Sequence, residues 1–175
     1  TAFSQTWLTF AIGGLWFWLP ADFPFRNQSA SAWTGFGLVI VVAGLFSTLT
    51  GGYVADRLRQ RYPGSYFLVS GIGMVAAFPF FIAMIFTPFP LAWFFLFGAV
   101  FLSFLNTGPS NAALANVSLP SVRATAFALN ILIIHTLGDA AAFPVIGYIG
   151  GHSNMHVEFL VVSGMMLLAG VIWLA

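Results

Sequence analysis

The sequence predicts an all-α membrane protein, a single bundle of six transmembrane helices spanning residues 1–175. Three observations carry that prediction. Sixty per cent of the residues are hydrophobic and 5% charged, with a mean hydropathy of +0.98; a soluble domain carries about 25% charged residues. Apolar runs recur six times, each near the roughly 20 residues that cross a bilayer. A helix satisfies its own backbone in hydrocarbon, whereas an open sheet edge does not. The absence of cysteine excludes disulfides and thiolate metal sites. A net charge of +1 with no basic patch outside one short segment gives no footing for nucleic acid.

In chain order the spans are 3–19, 33–54, 66–86, 91–114, 124–150 and 157–175. The first ends at Pro20-Ala21-Asp22 and is followed by a polar loop, Arg26-Asn27-Gln28-Ser29. The third is closed by Thr87-Pro88-Phe89-Pro90, and the fifth is opened by Pro120-Ser121-Val122-Arg123. With neither a starting methionine nor a polar tail, the sequence reads as a piece of a longer chain. The second span closes on Gly52-Tyr53-Val54-Ala55 and the fifth on Gly147-Tyr148-Ile149-Gly150. These are the middle helices of two successive triplets, as a three-plus-three inverted repeat would place them.

Between the second and third spans lies Gly51–Pro63, holding one acid and three of the five arginines of the chain. The positive-inside rule assigns this segment to the cytoplasm. Arg123 then falls on the same side, so both termini are expected in the cytoplasm, at the inner membrane if the protein is bacterial. Tryptophans mark the interfaces: Trp18, Trp33 and Trp93 outside, Trp7 and Trp173 inside.

Polarity inside the spans is uneven. The third and sixth have almost none and read as outer, lipid-facing supports. The second is rich in glycine, alanine, serine and threonine, which lets neighbouring backbones approach. In the fourth, Ser103, Asn106, Thr107, Ser110 and Asn111 recur every three or four residues as one polar stripe. Gly108-Pro109 interrupts that helix. The stripe reads either as interhelical hydrogen bonding or as the wall of a substrate cavity. In the fifth, His135 and Asp139 stand one turn apart with Thr125, Ala128 and Leu132, while Asn130 points the opposite way. An acid within a span costs a few kcal/mol and needs a partner or water. The pair reads either as a proton-titrating couple, histidine being the side chain that titrates near neutrality, or as a static hydrogen bond. Pro144, a turn further on, offers a hinge at the outer end. His152, His156 and Glu158 have metal-like spacing in an outer loop, but without a fuller ligand set they read as a polar loop; neither metal nor cofactor is expected.

Gly52-x-x-x-Asp56-Arg57-x-x-x-Arg61 resembles the signature loop of the major facilitator superfamily, with Arg59 where a second glycine is usual and Gln60 in place of a base. Pro120-Ser121-Val122-Arg123-Ala124 resembles the stretch that opens the middle helix of that superfamily's second triplet. Gly51–Gly71, then Asn106-Thr107-Gly108-Pro109-Ser110-Asn111, then Ala124–Asn130 through His135-Thr136-Leu137-Gly138-Asp139 is similar to the C-terminal half of Spinster-type transporters. The resemblance implies the second six-helix half of a twelve-helix secondary transporter, not an enzyme. It implies export of amphiphiles such as lysophospholipids or sphingosine-1-phosphate, with proton coupling in many members. It also implies a cytoplasmic gating loop of Gly52, Asp56, Arg57, Arg61 and Arg123. The cavity residues are then Ser103, Asn106, Thr107, Ser110, Asn111, Asn130, His135 and Asp139. The partners implied are the N-terminal half, membrane lipids, the amphiphilic solute and protons. A different solute (sugar, drug or organic anion) stays open as an alternative, as do a six-helix channel and an intramembrane enzyme built on His135 and Asp139.

Overall fold

The structure, a computed structural model, describes residues 2–22, 31–152 and 155–175; the polar loop at Arg26–Ser29 lies outside them. All the regular elements among the described residues are helical. They are α1 (Ala2–Asp22), α2 (Ser31–Arg59), α3 (Ser65–Phe86), α4 (Leu91–Phe104), α5 (Thr107–Val117), α6 (Arg123–Ile134), α7 (Ala140–His152) and α8 (Met155–Leu174). A π-helical turn, His135–Asp139, joins α6 to α7 without a break, and a 3-10 turn at Pro120–Val122 leads into α6. Five helical stretches among the described residues are long and apolar enough to cross a membrane: 32–59, 65–86, 91–117, 120–152 and 156–174. The chain is thus an integral, multi-pass membrane protein.

At 21 residues, α1 reaches about 30 Å, comparable with the other spans but more polar. Its hydroxyls and its amide find partners within the protein, as hydrocarbon requires, whereas the indole nitrogens of Trp7 and Trp18 are buried without one. Ser4 Oγ donates to the Ala169 carbonyl of α8 at 2.7 Å, Thr6 and Thr9 donate to the carbonyls of Ala2 and Gln5, and the Gln5 side chain accepts from Asn130.

The arginine segment is mostly helix rather than loop. α2 runs through Arg59, so Arg57 and Arg59 occupy its last turn, where the partial negative charge of the helix end favours cations. Only Gln60–Gly64 turns, with the amides of Arg61 and Tyr62 both on the Leu58 carbonyl at 2.9 Å.

The fourth span is interrupted one turn before the Gly108-Pro109 pair. Pro109 lacks the N–H that would bond the Leu105 carbonyl, and its ring crowds that same carbonyl, so the helix divides at Leu105–Asn106. Gly51 of α2 lies against the freed group, leaving no room for a Cβ beside the Leu105 carbonyl oxygen. One turn earlier the Ser47 hydroxyl of α2 donates to the Phe101 carbonyl.

The spans expected as outer supports, α3 and α8, pack closely against each other. Gly71 of α3 lies under Leu174, and Gly170 of α8 lies against Met74 and Val75. Their inner faces, including Met74, Phe81, Met84, Val162 and Met166, are fully buried, while Phe67, Ile72, Phe86, Leu168 and Val171 stay exposed. A long exposed apolar stripe runs along α2 as well, through Leu38, Val41, Leu45, Leu49 and Tyr53. The α1 start, the α8 end and the Gln60–Gly64 turn lie at one end of the bundle, joined by Ser4 to Ala169 and by the Phe67–Trp173 ring contact at 5.2 Å.

Gly51→Ala is expected to destabilise the protein by about 2 kcal/mol, the cost of overpacking a close contact. Gly164→Ala, where a Cβ meets nothing within 4 Å, is expected to leave stability unchanged or raised. Melting temperatures in detergent check this, and equal values for the two variants would contradict the close approach of α2 to the α4–α5 break.

Candidate functional site

Three elements enclose a cavity of about 290 Å³. α1 contributes Gln5, Leu8, Thr9, Ile12 and Trp16, a spacing of three and four that keeps one helical face inward. The α4–α5 break contributes Phe104, Asn106, Thr107, Ser110 and Asn111, and α6 with the π turn contributes Asn130, Ile131, Ile134, His135 and Asp139. Seven of the eight polar residues picked from the sequence therefore line one space. Ser103 does not. It is buried toward α8, its hydroxyl donating to the Ala99 carbonyl at 2.6 Å and lying 3.3 Å from Met166 Sδ.

The π turn explains why Asn130 shares a cavity with Asp139. At 100° per residue the two would face apart, as the sequence reading has it. The i→i+5 bond from the Ala140 N–H to the His135 carbonyl widens the turn and brings Asp139 back onto the face of Asn130. Thr125, Ala128 and Leu132 are exposed and are not in the cavity lining. Two glycines seat the turn on α1. A Cβ on Gly138 would meet the Thr9 side chain at 2.8 Å, and one on Gly13 would meet Asp139 Oδ1 at 2.7 Å.

The lining is polar but nearly free of charge, with one carboxylate and one imidazole and neither lysine nor arginine. His135 Nδ1 contacts Asp139 Oδ2. Asn130 Nδ2 donates to Gln5 Oε1 at 3.1 Å, both side chains being buried. Asn106 is 4% exposed, and its Oδ1 has no hydrogen-bond partner, which costs about 1–3 kcal/mol until a donor meets it. Trp16 and Phe104 stack at 5.9 Å and supply an apolar surface beside these amides. Gln5, Thr9 and Trp16 were missed by sequence reasoning. Their signal was available: two polar residues four apart in an otherwise apolar span.

At the arginine end, Gly52 is a contact point, since a Cβ on Gly108 of α5 would be 2.9 Å from its nitrogen. Asp56, Arg57, Arg61 and Arg123 are all exposed. Asp56 Oδ1 accepts from the Tyr66 hydroxyl at 2.8 Å, and Arg57 Nη1 donates to the Tyr53 hydroxyl at 2.9 Å. Tyr66 was not singled out from the sequence. The residues expected in an outer polar loop stand on helices instead. His152 ends α7 and its Nδ1 donates to the Tyr148 carbonyl at 2.9 Å. His156 and the buried Glu158 belong to the first turn of α8, His156 against the Phe86 ring. No group of metal-ligating side chains occurs among the described residues.

Gln5→Leu and Asn130→Leu are each expected to lower the melting temperature, with a coupling of about 0.6–1.7 kcal/mol, the range for hydrogen bonds between helices in membranes. A double-mutant cycle measures it, and strictly additive effects would show that the two amides do not act together.

No family model matches the chain. The probable sphingolipid transporter spinster homolog 3 of Arabidopsis thaliana is 29% identical over 170 residues, covering 94% of this chain and 32% of that protein. Protein spinster homolog 3 of Danio rerio is 32% identical over 161 residues, covering 82% of this chain and 32% of its own length. The chain thus spans about a third of the length of these curated relatives. A bacterial homolog of the human lysosomal transporter Spinster, solved in an inward-facing and unoccupied conformation, superposes with a TM-score of 0.70 at 17% identity. That superposition takes in 99% of this chain and 47% of the solved one. The chain is thus similar to Spinster proteins over most of its length, and its fold matches half of the solved bacterial homolog.

Proposed function

We propose that the chain is the C-terminal six-helix half of an alternating-access secondary transporter. Its solute is an amphiphilic, lipid-like molecule such as a lysophospholipid or sphingosine-1-phosphate. The observation that carries this reading is the cavity. Amides and hydroxyls of three elements share it with the stacked Trp16–Phe104 pair and with Leu8, Ile12, Ile131 and Ile134, a lining suited to a polar head joined to an apolar body. The Arabidopsis relative's name, a probable sphingolipid transporter, supports it further. With neither lysine nor arginine among the described residues of this lining, a headgroup phosphate takes its counter-charge from the other half.

That N-terminal half covers the exposed stripe of α2 and part of the exposed face of α6 and α7. Alternating access is then a rocking of one half on the other. The arginine end faces the cytoplasm, and Gly52, Asp56, Arg57, Arg61 and Arg123 form its gate. The Asp56 carboxylate meets the other half in one state, and the arginines meet acids or anionic headgroups. His135 and Asp139 carry the coupling proton: exchange of one proton at the pair changes its net charge by one inside the cavity.

A second reading, transport of a polyhydroxylated solute such as a sugar, is favoured by one feature of the lining. Four amides, Gln5, Asn106, Asn111 and Asn130, stand there with Trp16. Native mass spectrometry of the full-length parent, gently extracted from its own membrane, separates the two. A bound lysolipid is expected; a bound sugar would replace the first reading, and an empty dimer of half-length chains would support a channel instead.

Asp139→Asn is expected to flatten the pH dependence of transport by the full-length protein reconstituted in vesicles. An unchanged pH profile would remove the proton-carrying role of the pair.

A further inference from the structure

The end of α2 holds an acid where a helix disfavours one. Asp56 lies three residues before Arg59, the last residue of α2, close to the partial negative charge of the helix terminus. Arg59 stands at i+3, a spacing that brings an acid and a base together on a helix surface. They do not pair. The phenol oxygen of Tyr66, from the first turn of α3, stands between them. It donates to Asp56 Oδ1 at 2.8 Å and accepts from Arg59 Nη1 at 2.9 Å. The guanidinium carbon of Arg59 lies 5.1 Å from the centre of the same ring.

The phenol is fixed from below. Tyr66 is 7% exposed and packs with Ala55, Val69 and Ala113 in a small core that ties α2, α3 and α5 together. Its neighbour Ser65 is fully buried and donates to the Ala55 carbonyl at 2.8 Å. Asp56 and Arg59 are both exposed, so the rigid partner is the tyrosine and the mobile ones are the charges. A neutral hydroxyl that satisfies one oxygen of the acid leaves the charge and the second oxygen directed outward. A direct pair with Arg59 would consume both.

We propose that Tyr66 is a positioning residue of the gate: its hydroxyl holds Asp56 apart from Arg59 and presents the carboxylate to the other half of the transporter. This rests on the reading of the arginine end as a gate. Loss of the hydroxyl then lets Arg59 capture Asp56, and the closed state loses its contact without any change in the packing of the ring.

The test is a distance measurement between spin labels in the full-length parent, one at the exposed Gln60 and one at the facing end of the other half. Tyr66→Phe and Asp56→Asn are each expected to lower the ratio of closed to open molecules by about tenfold, as for loss of a hydrogen bond to a charged group. The double variant is expected to lie no lower than either single one. Adding Arg59→Gln to Tyr66→Phe is expected to restore the closed population, because the acid is no longer captured. A purely structural phenol would not be rescued by removing an arginine. With a responsive Asp56→Asn, additive shifts or absence of rescue would overturn the role of Tyr66 alone. Unchanged distances in Asp56→Asn itself would overturn the gate reading, and with it the role assigned to Tyr66.

Discussion

A backbone group that loses its helical partner in hydrocarbon has no water to replace it, and two spans of this bundle lose such partners. Pro109 deprives the Leu105 carbonyl of its donor, and the π turn at His135–Asp139 shifts the hydrogen-bond register by one residue. Both interruptions lie at the cavity. Their repair dictates what surrounds them. Ser47 donates to the Phe101 carbonyl, and Gly51 gives the Leu105 carbonyl a neighbour without a side chain. The glycine at position 51 of α2 is thereby explained by the broken helix it accompanies.

The same logic places α1 at the centre. Its backbone is approached by Gly138, its Gly13 receives Asp139, and its Gly14 lies against Ile146 and Val162. A helix so closely covered can carry polar side chains at no cost in lipid contact, and Ser4, Gln5, Thr6 and Thr9 each have a partner inside the bundle. Gln5 and Thr9 use that freedom to line the cavity. The bundle therefore assigns its polarity by helix position. α3 and α8 close the side away from the cavity with apolar packing, while α1, α5 and α6 share the polar interior.

Much of this was legible from residues alone. Apolar run lengths locate the helices, because the bilayer imposes its thickness on the sequence. The fourth-span stripe was visible as spacing, and all of it but Ser103 faces the cavity. Ser103 departs because the helix is interrupted between it and Thr107, and a stripe drawn on an ideal helix does not survive that interruption. The break itself was expected at Gly108-Pro109 and falls a turn earlier, because proline acts on the carbonyl four residues before it. Asn130 was set on the wrong face for a related reason: 100° per residue does not hold across a π turn, and no residue type announces one. Tyr66 went unread because an aromatic residue at a helix start looks like an interfacial anchor, whereas its hydroxyl is what matters here.

Charge is distributed in a way that fits a moving part rather than a fixed scaffold. The described arginines stand at one end, exposed, with uncharged phenols as the partners of Arg57 and Arg59. The described acids are dispersed: Asp56 on a tyrosine, Asp139 on a histidine, and Glu158 buried in the first turn of α8. Had Asp56 closed on Arg59, the end of α2 would be self-satisfied and would have little to offer another surface, since exposed ion pairs are worth no more than about 1 kcal/mol to begin with. Held by a neutral hydroxyl, the carboxylate keeps most of its capacity to bind elsewhere. The imidazole at Asp139 does the same in the cavity. There too the acid contacts a ring nitrogen rather than a lysine or arginine. At both sites such a partner preserves an unspent interaction, and such interactions are what a bundle needs if it is to exchange one set of contacts for another.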